Sequence, residues 1–528
     1  MKKSIKRKNE MEKAQRAVAC ECIAVSQAAS DPFGYYARMR HRVRRFILHV
    51  GPTNSGKTHD ALQSLMDAGD GVYLAPLRLL ALETGERLRA QGLRCDIITG
   101  EERSIEFGAT FSSRTVEMFD TERSYRCVVI DEAQMISDPR RGGAWTRAIL
   151  AADAPQIHIC MADEALALVT RLIAMCGDDI EIVRHRRATG LSVEPEPLDG
   201  DPMPDDALIA FDRTDVLELA ASIEARGIPT AVIYGALPWP ARRAEAKRFA
   251  TGEAEVLIAT DAIGMGLNLP IRRVVFTATT KYDGKASRSL TTAEIKQIAG
   301  RAGRRGMYQQ GFVTSTCRAN DWLRHRLEEQ VRPLTAARLA FPQELGMETA
   351  VPLTLLLKVW AKTPMSYDML RRIDLTGPIT IATMLEGVGA GSGTRFPSDR
   401  QTLLGMAFLP VDPQRDLDEV MALYQGLKRK THPLLPGGGA WAHDYDTGEP
   451  RSLIRLERLL RTLGIRFAFA RKLNIMDRAM EERFAATRMR LEHDVIVKVT
   501  GSKAALLERR LADEDEWNVR DEHGVWRF

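Results

Sequence analysis

Residues 46–58 read FILHVGPTNSGKT, an apolar run that passes straight into Gly51-Pro52-Thr53-Asn54-Ser55-Gly56-Lys57-Thr58 and then into a helical pattern. A G-x-x-x-x-G-K-[ST] sequence between strand and helix is a phosphate loop, and it commits this part of the chain to an α/β sheet domain. The glycines let backbone N–H groups approach phosphate oxygens, and the helix N-terminus favours an anion. The Lys57 ammonium neutralises the outer phosphates and the Thr58 hydroxyl is offered to Mg²⁺. At average residue usage such a match arises by chance in roughly 2% of chains this long, before its context is counted.

Similar apolar runs surround the loop. VYLA (72–75), CDII (95–98), CVVI (127–130) and IHIC (157–160) read as further parallel strands, with helices predicted over 58–66 and 79–89. The alternation restarts with LIAF (208–211), TAVIY (230–234), VLIA (256–259), VVF (274–276) and FVTS (312–315), separated by helical patterns over 215–226, 241–250 and 292–302. The expected fold is therefore α/β, with two tandem parallel-sheet domains followed by a mainly α-helical C-terminal region. The expected boundaries are a basic arm (1–45), a nucleotide-binding domain (46–193), an acidic Pro-rich linker (194–207), a second α/β domain (208–325) and a helical accessory region (326–528).

At 528 residues the chain exceeds one ordinary core. Its net charge of +5 is confined to the first sixteen residues, which hold seven basic and two acidic side chains, so the rest is neutral overall. Any nucleic-acid surface must then come from local clusters of arginine and lysine. The arm itself reads as a solvated, mobile terminus or an electrostatic tether. No stretch approaches 18 uncharged apolar residues, so no membrane span is expected. The seven cysteines are odd in number and mostly in apolar settings, as in a reduced compartment, and Cys20-Glu21-Cys22 has no second pair to complete a zinc set. Arginine greatly outnumbers lysine and alanine is abundant, the composition of a GC-rich genome. The expected location is a bacterial cytoplasm, with the mitochondrial matrix as the less favoured alternative.

Two further motifs carry chemistry. CVVI ends at Asp131-Glu132-Ala133-Gln134, which puts two acids at the C-terminal edge of a buried strand, where α/β sheets bind ligands. Asp131 is assigned to Mg²⁺ and Glu132 to activating water. The second domain carries Gln297-Ile-Ala-Gly300-Arg301-Ala-Gly303-Arg304-Arg305-Gly306, where Arg301 and Arg304 are candidate arginine fingers; a nucleic-acid-contacting loop is the alternative.

GPTNSGKT, VIDEAQM, DPRRGGAWTRAIL, YGALP, ATDAIGMGLNLPIRRVVF and QIAGRAGRRG occur in that order. Together they resemble a superfamily-two DExH-type ATP-dependent RNA helicase, most like the RNA helicase of the mitochondrial degradosome and its bacterial relatives. The resemblance covers about residues 46–330. It implies two RecA-like domains that clamp ATP, or another nucleoside triphosphate, with Mg²⁺ between them. It places Pro76, Arg78, Thr99, Gly100 and Thr115 against the backbone of a nucleic-acid strand, with Tyr234, Gly235, Thr260 and Asp261 at or near its path. It sets Gly266 and Asn268 near the nucleotide sugar, and gives Gln297 the role of coupling ATP to domain closure. The implied activity is 3′ to 5′ translocation and duplex unwinding in RNA turnover, with an exoribonuclease as partner. A helicase for DNA or RNA–DNA hybrids and an ATP-gated RNA-binding scaffold are the alternatives.

The chain departs from the family at His158-Ile-Cys-Met161-Ala162-Asp163-Glu164, where a Gly-Glu pair is usual, and at Phe211-Asp212, where Phe-Ser is usual. The first of these segments helps couple hydrolysis to unwinding. Arginines in the tail (Arg451, Arg455, Arg458 and Arg461, then Arg483, Arg488 and Arg490) read as solvated faces over a leucine core, with strand exit or nuclease docking as the sharper alternative.

Overall fold

The computed structural model describes residues 2–513 apart from 101, 236, 238, 265–268, 283–285, 305, 317–319, 348–350, 392–399, 410, 413–414, 429–452 and 474. Gly266, Asn268 and Arg451 fall outside the described residues.

Helices α1 (Lys2–Ser30) and α2 (Pro32–Ala37) lead into a sheet of eight strands. These are β1 (Arg45–Val50), β2 (Gly71–Ala75), β3 (Cys95–Ile98), β4 (Arg103–Ser104), β5 (Phe111–Thr115), β6 (Cys127–Ile130), β7 (Gln156–Met161) and β8 (Asp179–Arg184). Their order is β4-β3-β5-β2-β6-β7-β1-β8, parallel except for β4, which pairs antiparallel with β3. Helices α3 (Lys57–Asp67), α4 (Arg78–Ala90), α5 (Gly143–Ala151) and α6 (Asp163–Cys176) pack on its faces. The apolar runs form strands because both faces are covered, as parallel sheets require. β5 is the exception. Its sequence is FSSRT, yet all five residues are buried. The polar groups are satisfied inside: Ser113 Oγ donates to the Ala81 carbonyl at 2.6 Å, and Arg114 Nη1 donates to the Met118 carbonyl at 3.2 Å.

The second sheet contains β9 (Gly190–Val193), β10 (Asp206–Ile209), β11 (Thr230–Ile233), β12 (Val256–Ala259), β13 (Arg273–Phe276) and, after the small β14 (Thr280–Tyr282)/β15 (Ser287–Ser289) hairpin, β16 (Gln310–Ser315). Its order is β11-β12-β10-β13-β16-β9, parallel throughout. Helices α7 (Arg213–Glu224), α8 (Trp239–Ala250), α9 (Thr292–Ala299) and α10 (Asn320–Glu328) accompany it. These are two RecA-like domains.

Two boundaries differ from the sequence reading. Residues 190–193 pair with β16 and so belong to the second sheet, which leaves only 185–189 between the sheets. The acidic residues taken as linker are also engaged: Glu194 and Asp206 both hold the buried Arg273, with Nε–Oδ1 of Asp206 at 2.9 Å and Nη1–Oε2 of Glu194 at 3.1 Å. The N-terminal arm is helical, and its end is part of the fold. Val25, Ala28, Ala29, Phe33 and Tyr36 are buried, α1 packs on α11 (Leu353–Lys362), and Phe33 meets Tyr367 edge-on with centroids 4.8 Å apart. Asp31 caps α2 by accepting from the Gly34 N–H at 3.0 Å.

The C-terminal region is mainly helical, as expected, with α12 (Thr376–Gly391), α13 (Arg400–Ala407), α14 (Leu417–Lys428), a helix over Leu453–Lys472 and a long one over Arg478–Asp513. A two-stranded parallel sheet, β17 (Ala337–Leu339) and β18 (Leu370–Arg372), was not anticipated. This region touches both RecA-like domains. Arg147 of α5 pairs with Glu344 at 2.9 Å, Glu457 engages Arg213 of α7, and Arg488 lies 3.9 Å from Glu102. Arg461 pairs with Asp416 at 2.7 Å, so several tail arginines serve as internal ties.

Because Phe33 is 6% exposed, Phe33→Ala leaves a cavity and should cost about 3–5 kcal/mol of stability in chemical denaturation. A change below about 0.5 kcal/mol would return this segment to the status of a loose terminus.

Candidate functional site: a nucleotide cleft between two RecA-like domains

The phosphate loop runs from β1 into α3. Gly56 caps α3 in the left-handed region (φ 90°), and Asn54 is also left-handed (φ 63°). Gly51 is required by packing, since a Cβ there would lie 2.4 Å from the His185 carbonyl oxygen. Lys57 Nζ donates to the carbonyls of Gly51 (2.6 Å) and Pro52 (2.7 Å), so its ammonium is held at the mouth of the loop. Ser55 Oγ is buried with no hydrogen-bond partner among the described residues.

Asp131 and Glu132 follow β6. Asp131 is 3% exposed, and its carboxylate accepts from Tyr73 Oη at 2.7 Å, the Glu132 N–H at 2.9 Å and Thr58 Oγ1 at 3.2 Å. Burial first, and the neighbouring Glu132 second, push its pKa up to about 6. The hydroxyl and carboxylate predicted for Mg²⁺ are thus side by side. A divalent cation would relieve a buried carboxylate that has only neutral donors, so Thr58 and Asp131 fit that ion. Glu132 has φ 50°, a strained conformation for a non-glycine residue, which turns its side chain out of the strand direction.

Gln134 was not assigned from the sequence, although it belongs to the quoted Asp-Glu-Ala-Gln run. Its Nε2 donates to Glu132, and its Oε1 accepts from the Ala162 N–H at 3.2 Å. The segment that departs from the family is thereby wired to Glu132 through Ala162. His158, in the same segment, belongs to a buried row: His49 Nε2 and His158 Nδ1 are 2.9 Å apart, as are His49 Nδ1 and His185 Nε2. Burial lowers the pKa of both His49 and His158 to about 4, so the row is neutral at physiological pH.

The second domain completes the cleft. A capping box between Thr291 and Glu294 starts α9, which carries Gln297 and ends at Gly300. Gln297 lies beside Gly264, whose carbonyl accepts from Arg301 Nε at 3.0 Å. Arg301 is half-buried, and the charges that offset its desolvation are Glu132, then Asp131, then Glu83. Glu83 on α4, missed in the sequence, has a carboxyl raised by burial and faces Arg301, Arg87 and Arg304. The two domains meet directly here. Asn54 Nδ2 donates to the Gly303 carbonyl at 3.0 Å, and a Cβ on Gly300 would fall 2.8 Å from Thr53 Cβ.

The residues expected on a nucleic-acid strand sit at the C-terminal ends of strands in both sheets. Arg78 Nη2 pairs with Glu102 at 2.5 Å, Thr99 closes the 99–102 turn, and Gly100 is exposed beside it. The Pro76 carbonyl accepts from Arg141 at 2.5 Å. Thr115, Thr260 and Tyr234 are buried, and Tyr234 points toward Glu457 (3.5 Å). Asp261 pairs with Lys281 at 2.9 Å. Arg242 of α8, also missed, braces the Tyr234 and Gly235 carbonyls at 3.0 and 2.9 Å. Asp212, the other departure, caps α7 by accepting from the Thr214 N–H at 2.7 Å.

Residues 32–185 match the family model for the DEXQ-box helicase domain of Suv3, and residues 202–306 match the helicase conserved C-terminal domain. These two stretches are similar to a Suv3-type helicase core. The DExH-box ATP-dependent RNA helicase DExH16 of Arabidopsis thaliana, a mitochondrial protein, is 41% identical over 317 residues, which is 59% of this chain and 56% of that one. The mitochondrial ATP-dependent RNA helicases SUPV3L1 of Mus musculus and SUV3 of Saccharomyces cerevisiae are each 42% identical, covering 58% and 54% of this chain and 42% and 41% of their own lengths. The chain thus spans about half the length of these curated relatives. They also correct the expected bacterial cytoplasmic location, because the curated relatives that match the Suv3-type core are mitochondrial proteins.

The histidine row gives a signed pH dependence. A histidine held near pKa 4 when folded and near 6.5 when unfolded costs no stability at neutral pH, and stability is lost as pH falls from about 6.5 toward 4. Denaturant unfolding of His49→Gln should therefore show an acid loss smaller than that of the parent by about 2–3 kcal/mol over this window. Parallel pH profiles would refute the buried row.

Proposed function

We propose that this chain is an ATP-dependent RNA helicase that couples hydrolysis to translocation along a single strand, 3′ to 5′, and so clears duplexes during RNA turnover, where an exoribonuclease would consume the strand. The observation that carries the reading is Arg301 of the second domain, half-buried and within the electrostatic reach of Asp131 and Glu132 of the first, while Asn54 bonds Gly303. A triphosphate on the loop 51–58 would be in contact with both domains, so its cleavage changes how the domains hold each other.

Within that site each group has a separable task. Lys57 and the loop N–H groups take the charge of the outer phosphates, and Glu132, oriented by Gln134, accepts the proton of the attacking water. Mg²⁺ held by Thr58 and Asp131 would supply the charge that stabilises the leaving phosphate oxygens. Arg301 and Arg304 meet the charge that builds up in the transition state. The strand is held at the C-terminal sheet edges through Arg78, Gly100, Gly235 and Asp261, contacts that are independent of sequence because they go to phosphate and sugar. The bond from Gln134 to Ala162 gives hydrolysis a physical route into the altered segment, which favours unwinding over mere ATP-gated binding.

Lys57→Ala should abolish ATP turnover; near-normal turnover would overturn the site. Arg301→Ala should reduce turnover by on the order of 10³ while RNA affinity changes little, and a pure affinity loss would make Arg301 a strand contact. Strand displacement measured with phosphate release on RNA and DNA duplexes bearing 3′ or 5′ tails tests the rest. Displacement confined to 3′-tailed RNA is expected. RNA-stimulated phosphate release without displacement would favour the gated scaffold.

A further inference from the structure

The segment between the two sheets, residues 185–189, carries one side chain with an unusual set of partners. Arg187 Nη1 donates to the Gly300 carbonyl at 2.7 Å, Nη2 to the Ala302 carbonyl at 2.6 Å, and Nε to its neighbour Thr189 at 3.2 Å. Thr189 Oγ1 in turn donates to the Gly303 carbonyl at 2.6 Å. Among the described residues every acceptor of this guanidinium is a neutral carbonyl, burial lowers its pKa, and no carboxylate offsets the cost of placing it there. The acceptors flank Arg301. Gly300 ends α9, Ala302 follows Arg301, and Gly303 (φ 71°) turns the chain toward Arg304.

We propose that Arg187 is a positioning residue for the arginine finger. Its planar fork spans the carbonyls on either side of Arg301 and fixes the peptide plane from which that side chain extends to the Gly264 carbonyl, within the electrostatic reach of Asp131 and Glu132. A backbone rotation at Gly300 or Ala302 would swing a side chain as long as that of Arg301 by several ångströms, so two short hydrogen bonds from one rigid fork set the finger's aim. The Gly303 carbonyl accepts from Thr189 on one side and from Asn54 of the phosphate loop on the other, so the connector and the loop register the same peptide. The inter-domain connector thereby enters the hydrolysis step itself. A lysine cannot replace the fork, because one ammonium cannot hold both carbonyls in the same plane.

This inference rests on the hydrolytic reading of the cleft, and its test keeps the two separable. Full-length Arg187→Ala and Arg187→Lys are compared with Lys57→Ala, Arg301→Ala and the double variant Arg187→Ala/Arg301→Ala. The readouts are RNA-stimulated phosphate release, binding of a non-hydrolysable ATP analogue and melting temperature. Arg187→Ala should lower kcat at least tenfold, with KM for ATP and analogue affinity within twofold, and Arg187→Lys should restore only a small part of kcat. The double variant should be no slower than Arg301→Ala, since both changes remove one function. Multiplicative losses in the double variant, full rescue by lysine, or a fall in melting temperature with unchanged kcat would overturn the positioning role. Retained turnover in Lys57→Ala would overturn the hydrolytic reading and the proposal with it, whereas loss in Lys57→Ala with normal Arg187→Ala would overturn the proposal alone.

Discussion

The contact between the phosphate loop and the peptide 300–303 is the constraint on which the rest of the molecule depends. Thr53 touches Gly300, Asn54 bonds Gly303, and Arg301 lies opposite the two acids at the end of β6. A buried carboxylate such as Asp131, with a second acid beside it, is expensive unless positive charge is near. In the described residues Lys57 and Arg301 supply it, one from each domain. The electrostatics of the first domain are therefore completed by the second.

The surrounding architecture serves this junction. The capping box at Thr291 fixes where α9 starts, and so where Gln297 and Arg301 face. Tyr73 and the Glu132 N–H hold the Asp131 carboxylate, while Trp145 Nε1 donates to the Asp131 carbonyl at 2.9 Å. Side chain and main chain of the same residue are thus pinned independently. Gln134 then carries the geometry sideways to Ala162, next to the start of α6. Each link is short and neutral or singly charged.

Most of the fold was legible because buried parallel strands announce themselves as apolar runs, and the phosphate loop and Asp131-Glu132 lie at strand ends where the pattern breaks. β5 was not legible, because Ser112, Ser113 and Arg114 read as surface until their hydrogen bonds are seen. The end of the N-terminal arm was misjudged for a related reason: its lysines dominate the composition, while Val25, Phe33 and Tyr36 are too sparse to register as a core face. At the site, the sequence reading named residues that a local motif marks and passed over those placed only by geometry. Glu83, Arg187 and Arg242 have no local signature, since their roles come from partners more than a hundred residues away or on another element. The location inferred from composition failed because residue usage reports genome bias, whereas the relatives carry information about setting.

The two C-terminal helices span both RecA-like domains, with Glu457 on Arg213 and Tyr234 of the second and Arg488 beside Glu102 of the first. A bridge of this kind acts as a mechanical stop. The domains can separate only as far as those side chains extend before an ion pair must break, so a glutamate and an arginine set how far the two domains can part while these helices stay attached to both.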